Sequence, residues 1–133
     1  MVYEDQGPNV LIVEDDRDGR LLFVEWLEQA GFRVSQAHNG LQALERAVET
    51  TPDVIVTDLH IPGIDGFELT RRLKQDPRTR NVPVLAVTGY AAFASDPDRA
   101  HRAGCTEVLA KPCSAGDLES AIRRLIDTAA RQE

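Results

Sequence analysis

Asp58 follows the run Val54-Ile55-Val56-Thr57 and precedes Leu59-His60-Ile61-Pro62-Gly63. An apolar run with Thr57 half-buried, then a carboxylate, then a Pro/Gly turn, is the pattern of a buried parallel strand leaving its sheet. A charge there has to be solvated, paired or metal-bound. Three other segments repeat the placing: Glu14-Asp15-Asp16 after Asn9–Val13, Thr88-Gly89 after Val84–Val87, and Lys111 after Val108-Leu109-Ala110. Glu14, Asp15 and Asp58 converging on one pocket would repel, and without a cation their pKa values should rise. A hard divalent cation, Mg2+ or Mn2+, relieves that repulsion with few carboxylates plus water. Lys111 has the stem to reach a phosphoryl oxygen. Thr88 offers a hydroxyl to the same group, and Gly89 leaves room above it. A carboxylate nucleophile with a metal, a lysine and a hydroxyl is a phosphoryl-transfer set in which Asp58 forms an aspartyl phosphate.

Each residue also has a plainer reading. Acids after the first strand can cap a helix, and for Asp16 that reading is preferred. Thr88 alone is an ordinary strand-end hydroxyl, and Lys111 alone a solvated lysine. Their recurrence at four strand ends favours a shared site.

The elements that must position these residues alternate along the chain. Strands are predicted at Asn9–Val13, Arg33–Ala37, Val54–Thr57, Pro83–Val87 and Thr106–Ala110. Arg17–Ala30 reads as a helix with Leu22, Phe23, Trp26, Leu27 and Ala30 on its apolar face, closed by Gly31. Asn39-Gly40 turns into a second helix with Leu41, Leu44, Ala47 and Val48 inward. Helices follow at Gly66–Gln75 and Asp96–Ala103, and a last one carries Leu118, Ala121, Ile122, Leu125, Ile126 and Ala129, with Ser114 and Asp117 opening it like a capping box. Five strands alternating with five helices predict an α/β three-layer sandwich around a parallel sheet with right-handed crossovers. In such sheets sites form at the carboxyl edge, near the switch in strand order.

Composition narrows the function classes. A 133-residue chain with 42% hydrophobic residues fits one globular domain. A net charge of -7 with no basic run argues against a nucleic-acid partner. No apolar stretch approaches membrane-spanning length and the acidic start lacks signal-peptide features, so no membrane partner and a cytoplasmic location are expected. Cys105 and Cys113 read as reduced thiols, and His38, His60 and His101 lack zinc-site spacing.

Taken together, Val10–Asp16, Thr57–Gly66, Val87-Thr88-Gly89 and Leu109-Ala110-Lys111-Pro112 resemble the receiver domain of two-component response regulators (the CheY-like superfamily). The resemblance covers residues 8 to 130, with 1–7 as an N-terminal extension and 131–133 as a tail. It implies the flavodoxin-like strand order 2-1-3-4-5. It implies Asp58 as phosphoacceptor; Asp15, Glu14 and the His60 backbone carbonyl as further Mg2+ ligands; Thr88 as switch hydroxyl; Lys111 as phosphate partner; and a cis bond before Pro112. The partners implied are a sensor histidine kinase or phosphotransfer protein, and an output protein bound by the face of helix four, strand five and helix five; homodimer formation is left open.

The chain departs from the family pattern at Val108, where Tyr or Phe is usual, and at Cys113, where Phe is common. Tyr90 or Phe93 is the candidate replacement for that aromatic. The loop from Gly89 to Pro97 reads one residue longer than is typical. His60 and Tyr90 match positions that tune dephosphorylation. With no output segment after the last helix, regulation through binding is expected. The rival readings are a phosphorylation-independent adaptor and an aspartate-nucleophile phosphatase, the latter disfavoured by His60 where an acid/base Asp would stand.

Overall fold

The computed structural model describes residues 7–89, 96 and 98–131. Five strands, β1 (Asn9–Val13), β2 (Arg33–Ala37), β3 (Val54–Thr57), β4 (Val84–Gly89) and β5 (Glu107–Lys111), form one parallel sheet in the order β2-β1-β3-β4-β5. The helices among the described residues are α1 (Arg17–Gln29), α2 (Gly40–Thr50), α3 (Gly66–Gln75), α4 (Arg99–Ala103) and α5 (Ala115–Arg131). This is the expected flavodoxin-like sandwich.

Strand side chains alternate between two cores, which is why β1 and β3 read as unbroken apolar runs. Leu11, Val13, Ile55, Val84 and Ala86 pack against Ala43 and Ala47 of α2, Leu69 and Leu73 of α3 and Ala100 and Ala103 of α4. Val10, Ile12, Val54, Val56, Leu85 and Val87 pack against Leu27 of α1 and Leu118, Ala121, Ile122 and Leu125 of α5.

Two helix faces differ from expectation. Leu22 is 43% exposed and Leu41 is 61% exposed; neither points inward. The buried positions of α1 are Val24 and Leu27. At 100° per residue, Leu22 lies roughly 200° from Val24 and so faces away from the sheet. The same offset separates Leu41 from buried Ala43. Buried Gly40 holds the start of α2 against the β3–α3 loop, where an added Cβ would meet Ile64 Cγ1 at 2.3 Å. Thr57 is fully buried rather than half-buried. Strands β4 and β5 run further towards the site than expected, to Gly89 and Lys111, and α4 begins at Arg99 rather than Asp96.

Capping chemistry starts the helices. Side-chain oxygens of Asp16, Asn39 and Asp65 accept from the N–H groups of Gly19, Gln42 and Glu68 at 2.8, 2.8 and 2.9 Å. Ser114 Oγ accepts from Asp117 N at 3.0 Å at the start of α5.

Candidate functional site

Parallel register brings the strand ends to one edge. Val13 pairs with Thr57, and Gly89 with Lys111, so Glu14, Asp58, Thr88 and Lys111 all leave the sheet at its carboxyl end. Lys111 Nζ donates to Glu14 Oε1 at 2.6 Å and to Asp58 Oδ2 at 2.7 Å. The second Asp58 oxygen, Oδ1, accepts from the His60 backbone N–H at 2.9 Å. The Asp58 N–H donates to Val13 O at 3.1 Å, and its carbonyl accepts from Thr57 Oγ1 at 2.8 Å. The nucleophile candidate is therefore held by backbone on both sides and by one ammonium.

Glu14 is 4% exposed. Burial pushes its carboxyl above the ordinary value, against the pull of the Lys111 hydrogen bond, the Asp16 N–H and the Lys111 charge, while the Asp58 charge adds to the rise. Burial alone would lower the Lys111 pKa; the hydrogen bonds and charges of Asp58 and Glu14 outweigh it and hold the ammonium above its ordinary value. Two oxygen ligands thus converge on one positive centre, the chemistry a hard divalent cation would replace or supplement. Asp15 is exposed and stands outside this cluster; among the described residues no three His, Cys, Asp or Glu side chains close into a metal-ligand group.

Thr88 is fully buried at the end of β4, and its Oγ1 has no hydrogen-bond partner among the described residues. A buried hydroxyl without a partner costs about 1–3 kcal/mol, so an acceptor arriving at this edge would be bound in part by relieving that cost. Val108 is half-buried and packs against the α2–α4 side of the core. Tyr90, Phe93 and most of the loop after Gly89 lie outside the described residues. Cys113 is a half-buried free thiol beside the bond between Lys111 and Pro112, which is cis as the resemblance implied.

Sequence reasoning missed Arg20. Its Nη1 donates to the Glu14 carbonyl at 2.9 Å and its Nε to Gln36 Oε1 at 3.1 Å. The available signal was position: side chains in a helix lean towards its N-terminus, so an arginine in the first turn of α1 reaches back over the loop that precedes it.

Comparison with known proteins gives the family. The sequence model of the response regulator receiver domain matches residues 10–123, and the chain belongs to that family. It is 39% identical over 106 residues to the polar-differentiation response regulator DivK of Brucella anthropi, an alignment covering 80% of this chain and 85% of DivK. The signal receiver domain of a signal transduction histidine kinase from Syntrophus aciditrophicus superposes with a TM-score of 0.86 at 31% identity, covering 96% of each chain. The receiver domain of a sensor histidine kinase from Pseudomonas aeruginosa, solved with a magnesium ion coordinated in its active-site cleft, gives 0.84 at 30% identity, covering 91% of this chain and 98% of that one.

Proposed function

We propose that the chain is a phosphorylation-switched response regulator that accepts one phosphoryl group on Asp58 from a partner histidine kinase or phosphotransfer protein. The observation that carries this reading is Lys111 Nζ bridging Glu14 and Asp58 at 2.6 and 2.7 Å on the carboxyl edge of the sheet. An Asp58 oxygen forms the new P–O bond as the donor's P–N bond breaks, and the electron pair leaves with the donor's imidazole. Glu14, Asp15, Asp58 and the His60 carbonyl would hold Mg2+ or Mn2+, which when bound supplies charge to the transferring oxygens. Lys111 then divides its donors between Glu14 and the phosphoryl group, and the free Thr88 hydroxyl turns to a phosphoryl oxygen.

The protein does no turnover chemistry beyond its own phosphorylation and dephosphorylation. The acyl phosphate, carrying about -1.5 to -2 at neutral pH in place of the carboxylate's single negative charge, biases a two-state surface at α4, β5 and α5 towards binding an output protein. With Val108 in the usual aromatic place, the report to that surface runs without the common ring rotation. A cytoplasmic setting fits a kinase partner, and no described helix is long and apolar enough to cross a membrane.

The test is intact mass after incubation with acetyl phosphate and Mg2+. A gain of one phosphoryl group, lost on chelation of the metal, supports the reading. No gain with this donor or with any phosphorylated kinase or phosphotransfer protein leaves the phosphorylation-independent adaptor.

A further inference from the structure

Glu14 has every polar atom engaged. Its N–H donates to Ala37 O at 3.1 Å, Oε1 takes Lys111, Oε2 accepts from Asp16 N at 3.2 Å, and its carbonyl accepts from Arg20 Nη1 at 2.9 Å. Asp16 is tied in the same way, to Glu14 Oε2, to Gly19 N and, through its carbonyl, to Arg20 N at 2.9 Å. Asp15 lies between them, exposed, with no hydrogen bond to its carboxylate among the described residues. What fixes Asp15 is therefore its two peptide planes. The Glu14–Asp15 plane is held by one side chain, Arg20.

Arg20 is half-buried and forms no ion pair among the described residues; its guanidinium is spent on two neutral acceptors, the Glu14 carbonyl and Gln36 Oε1. Gln36 is anchored in turn by Arg46 of α2, whose Nη1 donates to the Gln36 carbonyl at 3.0 Å. The loop that carries Asp15 is thus clamped to β2 and α2 through one fork-shaped cation.

We infer that Arg20 is a positioning residue for divalent-cation binding: its bond to the Glu14 carbonyl fixes the peptide plane from which Asp15 extends, beside the cluster of Glu14 and Asp58 that a cation would join to it. The inference rests on the metal-dependent reading above. Its sign is distinctive. A cation near a metal site repels the metal, so deletion of its charge alone would tighten Mg2+ binding. Loss of an orienting outer-shell partner loosens it, commonly by 10–100-fold.

Titration of the protein with Mg2+, followed by amide chemical shifts, separates the two for wild type, Arg20→Met and Arg20→Lys. Arg20→Met is expected to raise the Mg2+ dissociation constant about tenfold or more. Saturating Mg2+ is expected to return its rate of phosphorylation by acetyl phosphate to the wild-type value. Arg20→Lys, which retains the charge but only a point-like donor, falls between the two. Unchanged or tighter Mg2+ binding by Arg20→Met overturns the inference, whatever its melting temperature does. If Arg20→Met does not fold, wild-type affinity in Arg20→Lys overturns it. A wild-type protein that binds no Mg2+ sinks the metal-dependent reading itself, a result distinct from either.

Discussion

At the scale of single residues, the site is a balance of two acids against one ammonium. Lys111→Met removes the cation from a Glu14 side chain that is 5% exposed and an Asp58 side chain that is 10% exposed. Hydrogen bonds to charged groups contribute about 1.5–3 kcal/mol, so urea denaturation at neutral pH should show a loss of about 2 kcal/mol. Mg2+ should stabilise this variant more than wild type, because the metal takes over the vacated charge. The pH dependence has a fixed sign. The Lys111 pKa is raised in the folded state above its ordinary 10.5, so its contribution is whole below that value and is lost as pH rises through the higher folded value. Wild type should therefore lose stability in that alkaline window, and Lys111→Met should lack that loss. Thr88→Val is the opposite case. It deletes a buried hydroxyl that has no partner among the described residues, so stability should hold or rise by about 1 kcal/mol in denaturation. The amide-shift changes that accompany phosphorylation should shrink.

At the scale of elements, start signals differ in strength from helix to helix. Asn39→Ala removes a bonded cap of α2 and should cost about 1 kcal/mol. Asp98 makes no side-chain bond at the start of α4, so Asp98→Ala should fall within about 0.5 kcal/mol of wild type in the same urea experiment. Gly66 opens α3 so close to the phosphoacceptor loop that an added Cβ would meet Asp58 O at 2.4 Å and Leu59 Cα at 2.6 Å. Gly66→Ala must push backbone apart there and should lower both stability and the rate of phosphoryl uptake. Strand positions were legible because parallel strands buried on both faces are short apolar runs with punctuation at each end. Helix faces were less so. In α1, Leu21, Leu22, Phe23 and Val24 stand in one apolar block, and only the sheet decides that Val24, rather than Leu22, turns inward.

At the scale of the whole molecule, a parallel sheet was legible from the alternation of strands and helices, and its parallel strand ends placed Glu14, Asp58, Thr88 and Lys111 at one edge; the order of the strands came from the family resemblance. The bond from Arg20 to the Glu14 carbonyl was not legible. It depends on side-chain reach between a helix and a loop, and on a β2 residue, Gln36, far away in sequence. Stability is unevenly spread. Helix α4 has five residues and no side-chain cap bond; Ala100 and Ala103 dock it, with Arg99 lying 3.8 Å over the Phe67 ring. Hydrogen exchange should find its amides the least protected of the described helices, and phosphorylation should alter protection there and along β5 more than in α2. Equal protection of all helices would remove α4 from the switching surface.

The central claim is that Asp58 is the atom-level acceptor. Treating the acetyl phosphate-loaded protein with borohydride reduces an acyl phosphate to an alcohol, and peptide mass spectrometry then reports which carboxylate carried it. The account predicts reduction at residue 58 alone, absent in Asp58→Asn. Reduction at Asp15, Asp16 or Asp65 with Asp58 untouched would contradict it.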